Sequence, residues 1–100
     1  MTLRHIVSWK LNGETLAERD EQAAQIAAAL EALRDQIPEI RELNVHRNEL
    51  HDGANFDVTL IADFKNAEDL ATYAVHPKHL PVVDMVKGMA AERVAVDFTV

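Results

Sequence analysis

One hundred residues, 48% of them hydrophobic and 27% charged, describe a single domain spanning residues 1–100 with enough apolar material for one core. A formal charge of −7 without any run of lysine or arginine argues against a nucleic-acid surface, and no apolar run reaches membrane-spanning length. The lack of cysteine excludes disulfides, a thiolate nucleophile and sulfur-ligated metal; with an N-terminus unlike a signal peptide, it points to a soluble cytoplasmic protein.

In chain order, Leu3, His5, Val7, Trp9 and Leu11 alternate with Arg4, Ile6, Ser8 and Lys10, the pattern of a strand with one apolar face. Asn12-Gly13 ends it. Thr15 and Glu18 have capping-box spacing, which predicts a helix from there to about Gln36, stopped by Pro38. Its expected buried stripe is Leu16, Ala23, Ala27, Leu30, Leu33 and Ile37, unusually small in side chain. A second strand over roughly 40–48 leads into the polar turn 49–55, rich in Gly and Asx residues that suit a chain reversal. Phe56, Val58, Leu60, Ala62 and Phe64 then share one face of a third strand. Asn66 and Asp69 repeat the capping pattern and open a helix through Val75. Pro77 breaks it, a helix resumes over about 80–87, Gly88 is expected to end it, and a last strand covers about 93–100.

The order strand, helix, strand, strand, helix, strand is the split β-α-β arrangement of a ferredoxin-like α+β fold, with both helical segments on one face of an antiparallel sheet. The first strand then lies between the third and the fourth, so His5 faces either Asp97 or Val96, depending on register. The opposite face should be bare, with Ile6, Ile61 and one of Leu43 or Val45 on it. An apolar open face of this kind is most simply covered by a second copy of the chain.

The segment Tyr73-Ala74-Val75-His76-Pro77-Lys78-His79-Leu80 concentrates the groups able to move protons near neutrality. A base, an orienting group and a hydroxyl donor would be assembled if His79 and Tyr73 meet His5, with Asp97 fixing its tautomer. The competing structural role is that His76 and His79 brace the broken helix, and that His5 is a hydrogen-bonded core residue. The three-residue spacing of His76 and His79 also suits a metal pair, completed by His5 or Asp97, but Pro77 takes His76 out of the regular helix and disfavours it. His46, His51 and Asp52 sit on a strand and its turn and are expected in solvent. Trp9 is expected to fill core space opposite Ala23, Ala24 and Ala27; where it does not, those alanines leave an apolar pocket above His5.

With His5-Ile6-Val7, Ile37-Pro38, the block from Phe64 to Leu80 and Val96-Asp97-Phe98, the chain resembles the stress-responsive dimeric A/B barrel (Dabb) family over essentially its full length. The resemblance implies a ferredoxin-like protomer whose sheet packs on its twin in an α+β barrel homodimer. One branch of that family, the olivetolic acid cyclase type, closes a linear polyketide by aldol condensation with no metal and no cofactor. By motif position the resemblance makes Tyr73 and His79 the proton-transfer pair, with His5 as a further catalytic residue and His76 and Asp97 beside the pocket. The inward positions Val7, Trp9, Ala23, Ala24, Ala27 and Leu60 would contact a small apolar or polyketide-like ligand. Where the cyclases place aromatic rings on the first helix this chain has alanines, and Trp9 replaces an aliphatic residue, so the substrate differs. Two other functions stay open: a non-catalytic stress-associated dimer, and a cofactor-free monooxygenase of the same dimeric barrel class.

Overall fold

The computed structural model describes residues 1–100. Strand β1 (Leu3–Leu11) is followed by helix α1 (Leu16–Glu31), which tightens into a 3-10 turn over Ala32–Asp35, then by strands β2 (Glu42–Arg47) and β3 (Val58–Phe64). Helices α2 (Ala67–Ala74) and α3 (Leu80–Met89) precede strand β4 (Ala90–Thr99). The four strands form one antiparallel sheet in the order β2-β3-β1-β4, the ferredoxin-like topology. No helix is long and apolar enough to cross a membrane.

Local chemistry explains the boundaries. Thr15 Oγ1 accepts from Glu18 N at 3.1 Å and Asn66 Oδ1 accepts from Asp69 N at 2.9 Å, so both helix starts have a side-chain acceptor for a free amide. Gly13 is dictated by close approach: a Cβ there would lie 2.9 Å from Gln22 Oε1 and 3.0 Å from Arg19 N. The β2–β3 connection turns through His51 at φ 54° and Gly53 at φ 89°, and its Asp52 accepts from Arg19 at 2.8 Å. Gly88 does not end α3. The helix runs to Met89 and enters β4 directly, because Asn12 caps it from β1's end: its backbone N–H donates to Met89 O at 2.7 Å and its side-chain amide to Gly88 O at 2.9 Å.

One face of the sheet packs under the helices. Val7, Trp9 and Leu11 of β1, Leu43 of β2 and Val58, Leu60, Ala62 and Phe64 of β3 meet Ala23, Ile26 and Leu30 of α1 in a single cluster. Each fully buried Ile or Leu there contributes about 1.5–3 kcal/mol. The α1 stripe therefore runs through Ile26 rather than Leu16, which is 52% exposed at the helix start beyond the sheet. Leu43 and Val45 also correct the expectation. They pair opposite Ala62 and Leu60, so the two-residue alternation puts them on the helix side, and Asn44 and His46 take the open face. That open face carries Ile6 opposite Ile61, then Val94, Val96 and Phe98 of β4, with Arg4 clamped on Asp63 at 2.9 and 3.1 Å beside them.

Candidate functional site

Between the helical layer and the β1–β4 half of the sheet lies a cavity of about 290 Å³, at the small end of the roughly 300–1,000 Å³ usual for ligand pockets. Its lining is mostly apolar. His5, Val7 and Trp9 come from β1, Leu60 from β3, Tyr73 from α2 and His79 from the turn into α3; Leu30 of α1 and Val82, Val83 and Val86 of α3 complete the hydrocarbon wall.

The break at Pro77 is what brings Tyr73 and His79 together. His76 O accepts from His79 N at 2.9 Å and from Leu80 N at 3.1 Å, and His76 Nδ1 accepts from Lys78 N at 3.1 Å, so the five-residue turn is held by its own hydrogen bonds. The imidazole of His79 consequently lies over the Tyr73 ring, centroids 4.1 Å apart and planes inclined by 27°. Phe64 packs tilted against Tyr73, ring centroids 5.1 Å apart. Tyr73 is 1% exposed, and its hydroxyl has no hydrogen-bond partner within the protein. Burial pushes the phenol up to about 12, so at neutral pH it is a proton donor.

His79 Nδ1 lies 3.2 Å from Ala74 O. A carbonyl can only accept, which assigns the proton to Nδ1 and leaves the Nε2 lone pair free. Burial lowers the His79 pKa below that of a free imidazole, so the neutral, basic form prevails near neutrality. Opposite, β1 pairs His5 with Asp97, and His5 Nδ1 donates to the Asp97 carboxylate. That contact fixes the same tautomer in His5 and aligns its ring; of the two registers left open by the sequence, the sheet selects Asp97 rather than Val96.

His5, Val7, Trp9, Leu60, Tyr73 and His79 thus line one space, with Asp97 behind His5. The other expected wall residues do not. Ala23 is buried in the core on the α1–sheet contact and does not line the cavity. Ala24 and Ala27 face a separate groove of about 880 Å³ between α1 and β2, beside Asp20 and Val45. The helix is rotated by its larger residues, since Ile26 and Leu30 take the inward positions and turn those two alanines away. His76 is spent on the turn and points its Nδ1 at the backbone rather than the cavity. Trp9, 7% exposed, both fills core space and forms cavity wall, so its two expected roles coincide. Unanticipated contributors are the α3 valines and the cations Lys87 and Arg93. The spacing of Val82, Val83 and Val86 is an inward helical stripe visible in the sequence, whereas Arg93 required the β1–β4 register. No three His, Asp or Glu side chains converge as a set able to hold a metal ion.

A ferredoxin-like protomer with a bare sheet face and a small apolar cavity defines a structural class shared by many proteins. The sequence model for the stress responsive A/B barrel domain (Dabb) matches residues 3–100, and the chain belongs to that family. No curated protein matches it by sequence. Among solved structures it is similar to a dimeric ferredoxin-like protein of unknown function from Bacteroides fragilis, 28% identical, with a TM-score of 0.88 over 99% of this chain and 96% of that one. A hydroxynitrile lyase from Passiflora edulis is 17% identical, with a TM-score of 0.82 over 99% and 93% of the two chains. SnoaB, a cofactor-independent oxygenase from Streptomyces nogalater, is 17% identical, with a TM-score of 0.69 over 99% and 92%. Likeness at 17% identity extends to the fold alone.

Proposed function

We propose that the chain works as a homodimer whose cavity performs metal-independent acid–base chemistry on a small carbonyl compound, of the aldol or polyketide-cyclising kind. The observation that carries this reading is the Tyr73 hydroxyl, buried without a protein partner on the wall of an apolar cavity and beside an imidazole whose free nitrogen is basic. A buried hydroxyl left unpaired costs about 1–3 kcal/mol, an expense that makes sense where a substrate oxygen completes the bond.

In the first step His79 Nε2 takes a proton from a carbon between two carbonyls, and the C–H electron pair moves into an enolate. The enolate oxygen accepts a hydrogen bond from the Tyr73 O–H, which stays protonated. The enolate carbon then attacks a second carbonyl of the same molecule, forming the C–C bond, and the imidazolium returns its proton to the new alkoxide. His5, oriented by Asp97, keeps an unprotonated Nε2 that positions the substrate by accepting a hydrogen bond from an enol hydroxyl of the chain. Dimer formation covers Val94, Val96 and Phe98, which are 49%, 57% and 40% exposed in the protomer, and the similar protein from Bacteroides fragilis is described as dimeric.

The test is deuterium exchange at the methylene of a triketide β-diketo thioester of N-acetylcysteamine, followed by NMR. His79→Asn should slow enzyme-dependent exchange by roughly a hundredfold to ten-thousandfold while leaving the fold intact. Exchange equal in both proteins would refute the reading. Oxygen uptake with this substrate would instead favour monooxygenase chemistry, and binding without exchange a non-catalytic role.

A further inference from the structure

The cavity has a charged rim that the acid–base chemistry does not use. Lys87, in the last turn of α3, and Arg93, on β4, both line it and both are exposed, which places them at its solvent end. Arg93 pairs opposite Trp9, so it projects from the cavity side of the sheet. Glu92 also lines the cavity but, paired opposite Lys10, directs its side chain to the other face and forms no ion pair with either cation, while Asp97 is engaged by His5. Neither cation is neutralised within the protomer. Every other arginine donates a hydrogen bond: Arg4 to Asp63, Arg19 to Asp52, Arg34 to Leu43 O, Arg41 to Thr2 and Arg47 to Asp20 O. Arg93 donates none and, like Lys87, enters no ion pair, in a chain whose formal charge is −7.

We infer that the cavity takes a short amphipathic acyl ligand whose anionic head is held at the rim by Lys87 and Arg93 while its chain lies against Trp9, Leu30 and Leu60. The orientation rests on the function proposed above: Lys87 lies eight residues beyond His79 along α3 and Arg93 pairs with Trp9, four residues from His5 on β1, so a head at the rim sends the chain past Trp9 and Leu60 and puts carbons remote from the head beside Tyr73 and His79. A guanidinium presents paired N–H donors that match a carboxylate or phosphate in two-point contact, and a nearby ammonium adds a point charge. Burying a full charge against Trp9, Leu30 and Leu60 would strip its hydration without a compensating cation, so the head stays at the rim. The cavity's volume limits the chain to a short one.

Titration with octanoate, octanol and octanoyl coenzyme A tests this, read by calorimetry and by the emission of Trp9, the only tryptophan. Octanoate should bind at least about tenfold tighter than octanol, a ratio that falls with added salt and collapses toward unity in the Lys87→Gln/Arg93→Gln double variant. Arg93→Lys, which keeps the charge, should retain part of it. Octanoate and octanoyl coenzyme A distinguish a carboxylate head from a phosphate-bearing one: whichever binds tighter names the source. Equal binding of octanol and octanoate, a preference that survives the double variant, or no response to any of the three overturns the inference. Octanoate has no β-diketo methylene and undergoes no reaction, so the two readings fail separately: loss of the salt-sensitive preference for octanoate sinks the rim, and loss of His79-dependent exchange at the triketide thioester sinks the catalytic reading.

Discussion

Replacing Tyr73 by phenylalanine sets stability against activity with opposite expected signs. The ring packs against Phe64 at 5.1 Å and His79 at 4.1 Å, and both contacts survive removal of one oxygen. What is lost is a hydroxyl with no protein partner. Burying such a group costs about 1–3 kcal/mol, and the lower end applies because the cavity opens to solvent at the Lys87–Arg93 rim. Tyr73→Phe should therefore raise stability by about 1 kcal/mol, a rise in Tm of roughly 4–8 °C for a domain of this size. The same change removes the donor to the enolate and should slow exchange of the triketide thioester by about a hundredfold to a thousandfold. Thermal and urea unfolding at one fixed protein concentration check the first half, since a dimer's Tm depends on concentration. A lower Tm in the variant would mean that the hydroxyl makes a bond holding the fold together, and the reasoning would fail. Alkaline titration gives an independent measure: folded Tyr73 keeps its proton to about 12, an exposed phenol to about 10. The unfolded chain therefore loses the proton first, and stability on the order of 3 kcal/mol, fully present below pH 10, disappears by about pH 12. Phenolate absorbance should appear only with unfolding, and its appearance in the folded protein near pH 10 would refute the burial argument.

Because burial depresses the His79 pKa, its contribution to stability is present above about pH 6.5 and is lost as pH falls through the folded value. The acid limb of the exchange profile should accordingly lie below 6.5 and vanish in His79→Asn; a limb above 6.5 would contradict it. Asp97→Asn removes the charge that orients His5 but only a half-exposed contact, so exchange should drop by about tenfold with Tm changed by less than about 2 °C. A large loss of Tm would make that pair structural. Val96→Asp places a charge in the middle of the apolar open face and should convert the dimer to monomer in light scattering. A dimer that persists would put the interface elsewhere.

The pairing of Tyr73 with His79 was legible because it is local: a proline between two histidines forces a compact turn, and only five residues lie between the two rings in the chain. The strand order and the position of His5 between β3 and β4 followed from element order alone. What could not be read was rotation. The first helix carries Ala23, Ala24, Ala27, Ala28 and Ala29, so hydropathy leaves its phase nearly undetermined, and only Ile26 and Leu30 fix which alanines face in. The side on which Leu43 and Val45 point depended in the same way on a one-residue choice of register in β2. Arg93 could not be placed at the cavity for the same reason.

His5 and Asp97 meet only because β1 and β4 are paired in one alignment, and β4 is attached to the last helix without a loop between them. The ladder's one irregularity lies where β4 begins, with Leu11 opposite Ala90 and Lys10 opposite Glu92 so that Ala91 is an extra residue; from Arg93 to Asp97 the pairing is regular, and an inserted residue there would have nothing to absorb it. The strand could keep its ladder only by sliding, and the carboxylate would then emerge on the outer surface with a valine in its former place. Changes of length are therefore excluded from this stretch even where changes of side chain are tolerated.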